Sequence, residues 1–97
     1  MKKVFLSLGA EKDLENIYDY IKLDSKTYAD NIINNFLICF ENLSLFPEIG
    51  SEYKKDENYI NVRQIFQGNY RIIYEIFKDK IEIITIVHNA RNIKNEN

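Results

Sequence analysis

The fold is decided by residues 60–88, which read INVRQIFQGNYRIIYEIFKDKIEIITIVH. Short polar segments divide this stretch into three runs rich in Ile, Val, Tyr and Phe, the side chains that favour extended structure. The runs span 60–66, 70–77 and 81–88. Because only three residues separate consecutive runs, the pattern predicts a three-stranded antiparallel meander joined by tight turns.

Helical periodicity precedes the meander. Apolar residues recur at spacings of three and four over residues 10–21 and again over 29–43, which predicts two amphipathic helices. Pro47 and Gly50 end the second helix, because proline lacks the amide donor and glycine permits the turn that follows. With only a short break between them, the two helices are expected to pack as an antiparallel hairpin.

A short alternating stretch over residues 4–8 predicts a strand before the first helix. The expected order is therefore β-α-α-β-β-β, an α+β fold in which the helical hairpin packs on one face of an antiparallel sheet. Whether the first strand pairs at an edge of the meander or within it is left open. The length supports a single domain spanning residues 1–97, with residues 89–97 expected to form a frayed tail.

Composition narrows the class of protein. The single cysteine, Cys39, cannot close an internal disulfide, and no stretch has the pattern of a secretion signal or a membrane span. We therefore expect a cytoplasmic protein without membrane association. One Cys and one His fall short of a zinc site built from those residue types, so we expect no metal and no cofactor.

Charge is unevenly distributed along the chain. Residues 1–62 carry seven Lys and eleven Asp or Glu, a net charge of −4, whereas residues 63–97 carry six Lys or Arg and four Asp or Glu, a net charge of +2. All three arginines lie in the second segment, which points to an anionic or acidic partner there. The overall acidity argues against strong nonspecific binding to nucleic acid.

Strand pairing predicts where the charged side chains lie. A two-residue turn at Asp79–Lys80 would place Arg71 opposite His88, so that both project from the outer face, the face of the sheet away from the helices. In the preceding hairpin, a two-residue loop would turn Arg63 inward, where an unpaired charge is costly. We therefore expect the three-residue loop Gln67–Asn69, which places Arg63 beside Arg71.

The outer face then has two interpretations. In the first, Arg63, Arg71 and His88 border a shallow groove that binds an anionic or amphipathic partner. In the second, the face is solvated and Arg71 pairs with Glu75 or Glu82. No nucleophile triad, phosphate-binding glycine loop or metal-spaced carboxylate pair is recognisable in the sequence.

From Leu6 to Arg91 the sequence resembles the RelE/ParE superfamily of type II toxin–antitoxin toxins. The most specific part is YRIIYEI at residues 70–76, followed by Val87–His88 and Arg91. The family fold is also a helical hairpin on an antiparallel sheet, in agreement with the order derived from the residues. The resemblance implies a cognate antitoxin as partner and a hetero-oligomeric complex with it.

Two activities divide this superfamily: ParE-like toxins poison DNA gyrase, and RelE-like toxins cleave mRNA in the ribosomal A site. The segment 88–91 resembles the ParE branch, and Phe66 stands where RelE-type nucleases tend to carry an active-site arginine. We therefore expect a ParE-like inhibitor of gyrase. Its candidate binding residues are Lys54, Lys55, Arg63, Arg71 and Arg91.

The alternative implied by the resemblance is a RelE-like, ribosome-dependent and metal-independent mRNA endonuclease. Arg63 and Arg71 would then stabilise the charge on the phosphorane, and His88 would act as acid or base. A third possibility is an adaptor domain that has lost toxicity.

Overall fold

The structure, a computed structural model, describes residues 1–53 and 61–89. Its elements follow in the order β1 (Lys3–Leu6), α1 (Leu8–Lys22), α2 (Lys26–Leu45), a 3₁₀ turn (Pro47–Ile49), β2 (Ser51–Glu52), β3 (Val62–Gln67), β4 (Tyr70–Ile76) and β5 (Lys80–His88). The expected α+β order is confirmed, with the two-residue strand β2 and the 3₁₀ turn added. Most of the predicted tail lies outside the described residues.

The sheet has five strands in the order β1-β5-β4-β3-β2. Strands β2 to β5 form antiparallel pairs, but β1 is parallel to β5, with Val4 opposite Ile81. The sheet is therefore mixed rather than wholly antiparallel, and β1 occupies an edge. Parallel neighbours need a long crossover connection, and here the helical hairpin and the rest of the meander provide it.

Both helices begin at a serine cap. The side chain of Ser7 accepts a hydrogen bond from the backbone of Ala10, and that of Ser25 accepts one from Tyr28. Helix α2 presents a nearly continuous apolar stripe to the sheet, whereas α1 buries fewer of its side chains. The core that they enclose contains Ala10, Phe36, Cys39, Phe40, Leu43, Ile72, Tyr74, Ile81, Ile83 and Ile86.

Gly50 is required for space rather than for turn conformation. Its φ of −78° is open to any residue, but a Cβ atom there would lie 2.5 Å from the Gln64 carbonyl oxygen and 2.6 Å from the Tyr74 hydroxyl. The Gly50 amide donates to that hydroxyl at 3.0 Å, and the hydroxyl donates to the Pro47 carbonyl at 2.8 Å. Tyr74 thus fastens the chain after α2 to the centre of the sheet.

Candidate functional site

Arg71 lies on the outer face of the sheet, as predicted. Its neighbours across the ladder are Phe66 on β3 and Val87 on β5, and directly opposite residues share a face. Phe66 is 55% exposed, so an arginine and an aromatic ring lie side by side on the surface. Both residue types are enriched at the energetic centres of protein interfaces.

Hydrogen-bonding groups on the outer face are left unpaired. The Nε atom of Arg71 and the Oε1 atom of Gln64 are shielded from solvent and have no hydrogen-bond partner in the described part of the chain. Within residues 1–53 and 61–89 no ion pair joins Arg71 to Glu75 or Glu82. The second interpretation of this face, an arginine neutralised by its neighbours, therefore finds no support in these contacts.

His88 does not accompany Arg71, and the prediction that both project from the outer face is wrong. The turn is Lys78–Asp79 rather than Asp79–Lys80, since Phe77 N–H donates to the Lys80 carbonyl at 2.8 Å. Further along, Tyr74 is opposite Ile83 but Ile73 is opposite Thr85, which leaves one residue of β5 without a partner.

That unpaired residue, Ile84, is a β-bulge. One extra residue reverses which side of the sheet each later side chain faces. Beyond the bulge His88 is opposite Tyr70, and Val87 takes the expected place of His88 beside Arg71. Thr85 and Val87 therefore pair with the outer-face residues of β4.

His88 belongs to an aromatic cluster on the helix-facing side of the sheet. Its ring packs edge-on against Tyr70, with ring centroids 5.0 Å apart, and Tyr70 packs against Phe36 at 5.4 Å. Burial raises the pKa of the Tyr70 hydroxyl above its ordinary value. These contacts give His88 a packing role at the end of β5.

Arg63 also lies on the helix-facing side, so its predicted position beside Arg71 is wrong. The loop between β3 and β4 has two residues, Gly68–Asn69, with Gln67 opposite Tyr70. Gly68 has a φ of 60°, the left-handed conformation that such tight turns require. This register places Arg63 opposite Tyr74.

An inward Arg63 does not incur the expected cost of an unpaired charge. The reason is that its guanidinium donates hydrogen bonds to the backbone. Its Nη1 donates to the Gly50 carbonyl at 2.7 Å and approaches the Glu48 carbonyl at 3.5 Å. The backbone after α2 thus supplies acceptors that the strand pattern alone does not reveal. Arg63 holds this segment against the sheet, which is a structural role.

The candidate residues are therefore not gathered into one site. Arg71 lies on the outer face, Arg63 and His88 lie on the other side of the sheet, and Lys54, Lys55 and Arg91 fall outside the described residues. Cleavage of RNA needs cations and a proton-transfer group around one phosphate. The described arrangement instead offers surfaces for binding.

A second surface feature was not anticipated from the sequence. A groove of about 790 Å³ runs between α1 and α2. We call it the acidic groove; it is lined by Leu6, Glu11, Leu14, Glu15, Tyr18, Asp19, Asp30, Ile33 and Asn34. The sequence does contain a signal for this groove. Glu11, Glu15 and Asp19 are four residues apart, a spacing that aligns three carboxylates along one side of a helix.

One carboxylate of the acidic groove is already engaged. Asp30 accepts hydrogen bonds from the Tyr18 hydroxyl at 2.9 Å and from the Lys26 ammonium at 3.0 Å. The hydrogen bond from Lys26, followed by the one from Tyr18, lowers the pKa of Asp30, and the same contacts raise the pKa of both partners.

In the described part of the chain no group of His, Cys, Asp and Glu side chains could hold a metal ion. No helix there has the length and hydropathy to cross a membrane.

Residues 4–93 match the family model described as ParE toxin of type II toxin-antitoxin system, parDE. No curated protein matches the sequence.

Solved structures share the fold over nearly the whole chain. The chromosomal ParDE system from P. aeruginosa aligns with a TM-score of 0.73 and 19% identity, covering 91% of this chain and 96% of that chain. The RelBE2 toxin–antitoxin complex from Mycobacterium tuberculosis gives 0.65 and 20%, covering 92% of each chain. YafQ from E. coli gives 0.51 and 15%, covering 95% of this chain and 98% of that chain. At these identities the likeness establishes the fold.

Proposed function

Because this chain belongs to the ParE toxin family of type II toxin–antitoxin systems, we propose that it inhibits DNA gyrase and is neutralised by a cognate antitoxin. The observation that carries this choice is the placement of Arg71 and His88 on opposite faces of the sheet. A gyrase inhibitor acts as a protein ligand and needs no acid–base pair around a phosphate. The acidic balance of the chain also favours a protein target over the dense phosphate surface of the ribosome.

On the outer face we propose that Arg71 and Phe66 contact the target. The guanidinium of Arg71 forms no ion pair in the described part of the chain and carries the charge for an acidic partner group, while the exposed ring of Phe66 supplies apolar area. The activity would take place in the cytoplasm, where gyrase acts.

The test of the target compares two reactions of the purified full-length chain. We expect inhibition of supercoiling with purified gyrase and no cleavage of mRNA on programmed ribosomes. Cleavage of ribosome-bound mRNA with supercoiling untouched would contradict the proposal and favour the RelE-like endonuclease.

Variants sharpen this test. Arg71→Ala should reduce inhibition of supercoiling by about tenfold if Arg71 is an energetic centre of the interface. Lys12→Ala, which removes an exposed cation from α1, is the matched control and should change inhibition little.

His88→Ala should cause a modest loss of inhibition. Deletion from Asn89 onward should cause a large loss, provided circular dichroism shows that the fold survives.

The antitoxin is tested separately. The P. aeruginosa and M. tuberculosis structures come from toxin–antitoxin systems, which supports a partner of this kind for the present chain. The chain expressed alone should arrest growth of its host, and coexpression with the product of the adjacent gene should restore growth and yield a complex. A harmless chain that binds no neighbouring gene product would favour the adaptor alternative.

A further inference from the structure

The outer edge of β1 has no neighbouring strand within residues 1–53 and 61–89. On the inner side, Ser7 N–H donates to the Ile83 carbonyl of β5. Backbone polar groups of successive residues along a strand point alternately to its two sides, so those of Phe5 also face β5. Those of Val4 and Leu6 face the open edge, where the described residues give them no hydrogen-bond partner.

Both ends of this edge are already closed. The Lys2 backbone N–H donates to the Ser44 carbonyl at 3.2 Å, and the Lys2 carbonyl accepts a hydrogen bond from the Ser44 hydroxyl. At the other end the chain leaves the sheet at Ser7, the cap of α1. Two donors and two acceptors, on Val4 and Leu6, therefore stay open, and an open strand edge is a template for pairing with another chain.

Large apolar side chains surround the open part of β1. Phe5 is 50% exposed and lies on the outer face, because its neighbours in the strand pack against the core. Leu8, at the start of α1, is 85% exposed, and Leu45, next to Ser44, is 52% exposed. Exposed apolar side chains grouped around an unpaired strand edge indicate a surface that is covered by a partner.

We propose that two copies of the chain pair antiparallel through β1, about a two-fold axis at Phe5. Val4 of each copy then exchanges two backbone hydrogen bonds with Leu6 of the other copy. Four hydrogen bonds in total satisfy every open donor and acceptor of the two edges. The two Phe5 residues face each other as a non-hydrogen-bonded pair, the arrangement in which opposite side chains lie closest.

A second copy fits this edge because the pairing is self-complementary in charge and in apolar contact. With Phe5 on the axis, Lys3 lies opposite Ser7 of the other copy, so no two lysines are opposed. The same register brings Leu8 of one copy alongside Lys2 of the other. Lys2 is bonded to Ser44, so Leu8 meets the exposed Leu45 there.

Other registers of the same pairing are disfavoured. Moving the axis to Val4 would require hydrogen bonds from Lys2, whose backbone groups are taken by Ser44. Moving it to Leu6 would require Leu8, which belongs to α1. A shift by one residue would place the helices of the two copies on opposite faces of the joined sheet. The axis at Phe5 is therefore the register that leaves no polar group of the edge unpaired.

The contact is small, which sets its expected strength. Standard stable interfaces bury about 1,200–2,000 Å² in total, more than three strand residues and a few apolar side chains can supply. We therefore expect a weak dimer, with a Kd on the order of 10–100 μM. The pairing covers the open edge at high concentration. It does not depend on which target the monomer inhibits.

Sedimentation equilibrium of the full-length chain, over concentrations that span this range, measures the dimer. Phe5→Lys and Phe5→Glu each place like charges opposite one another across the axis, and each should weaken dimerisation by about tenfold or more. An equimolar mixture of the two variants brings opposite charges together and should restore the dimer. Unfolding of a variant cannot imitate this recovery.

Ile49→Lys and Ile49→Glu are the matched controls. Ile49 is 56% exposed and precedes β2, the strand at the opposite edge of the sheet. Both controls introduce the same charges at a similarly exposed apolar position, so they should leave the dimer Kd unchanged.

Amide hydrogen exchange followed by NMR locates the pairing within the strand. Exchange of the Val4 and Leu6 amides should slow as the wild-type concentration rises, in proportion to the fraction of dimer. The Phe5 amide faces β5 in both states and is the internal control. Its exchange should not depend on concentration.

Three results would overturn the proposal: a wild-type chain that stays monomeric, a mixture of the two Phe5 variants that stays monomeric, or equal losses in the Phe5 and Ile49 variants. A monomeric wild type whose Phe5→Lys variant no longer inhibits gyrase would assign the edge to the target instead. Sedimentation requires neither gyrase nor toxicity. Failure in the supercoiling assay is therefore distinguishable from failure of this inference.

Discussion

Thr85 Oγ1 donates a hydrogen bond of 2.9 Å to Asp13 Oδ2, and the same carboxylate oxygen accepts the backbone N–H of Ile86 at 2.9 Å. Asp13 lies on α1, and the two residues that it binds follow the bulge in β5. Through these contacts the first helix holds the one point in the β4–β5 ladder at which the register shifts.

The first helix can reach this part of β5 because β1 is short. That strand ends at Leu6, so within residues 1–53 and 61–89 no strand lies beside the edge of β5 beyond Ile83. Ser7 binds the next carbonyls: its backbone N–H donates to Ile83 at 2.9 Å, and its hydroxyl donates to Ile84 at 2.8 Å. The start of α1 therefore satisfies polar groups that a longer strand would have paired.

Asp13→Ala should destabilise the fold by about 1–3 kcal/mol, because it leaves the Ile86 amide without its acceptor. Thr85→Val is the matched control; it removes only the hydroxyl bond and should cost less. Urea denaturation followed by circular dichroism measures both changes. Equal midpoints for Asp13→Ala and wild type would show that the bulge does not depend on this carboxylate.

Tyr74→Phe should cost about 1–3 kcal/mol, since the buried Gly50 amide loses its acceptor and the Pro47 carbonyl loses its donor. Tyr70→Phe is the control. The Tyr70 hydroxyl forms no hydrogen bond to a side chain or backbone group of the described residues, so its removal should change stability by less than about 0.5 kcal/mol. Similar losses in the two variants would argue against the anchoring role of Tyr74.

Truncation of the two arginines should affect the stability of the fold differently. Arg63→Ala removes a charged donor from the Gly50 carbonyl and should lower stability by about 1.5–3 kcal/mol. Arg71→Ala should leave stability within about 0.5 kcal/mol, because its guanidinium has no ion-pair partner among the described residues. Thermal melting of both variants decides the matter, and a larger loss for Arg71→Ala would contradict this assignment.

Phe36→Ala should cost about 3–5 kcal/mol. Phe36 is 1% exposed and packs against Phe40 with ring centroids 6.4 Å apart. Leu37→Ala, at the next position of α2, truncates a side chain that is 50% exposed and should cost far less. If the two thermal midpoints fell together, the orientation of α2 would have to be revised.

Cys39 should react slowly with a thiol reagent in the native protein. Burial raises the pKa of its thiol, so less of the reactive thiolate is present at a given pH than in an exposed cysteine. Absorbance with Ellman's reagent at pH 8 should rise slowly in buffer and quickly in urea. Fast reaction under native conditions would show that the core around Cys39 opens readily.

Local pattern was enough to predict the helices, the three long strands and the segregation of helices from strands. Alternation along 70–76 and helical spacing along 29–43 arise from contacts that each segment makes with a single apolar layer. The position of β1 could not be obtained in this way. Its pairing with β5 joins segments about 80 residues apart, and no local pattern specifies which strand is its neighbour.

The candidate site shows the same division. Arg71 was placed correctly because its face follows from the alternation of β4 alone. His88 was misplaced because its face depends on the bulge at Ile84, which forms where β1 ends and α1 begins to supply hydrogen bonds. Arg63 was misplaced because the carbonyl that accepts the hydrogen bond from its guanidinium belongs to Gly50, a residue outside its own hairpin.

Secondary structure and the outward direction of Arg71 are thus properties of short stretches, in which side-chain period and turn chemistry act locally. Tertiary structure decided the faces of Arg63 and His88, the mixed pairing of the sheet and the acidic groove. Each of these depends on groups from distant segments that meet only after folding. A shift of one residue in a strand moves every later side chain to the other face, so such non-local contacts control where charges appear.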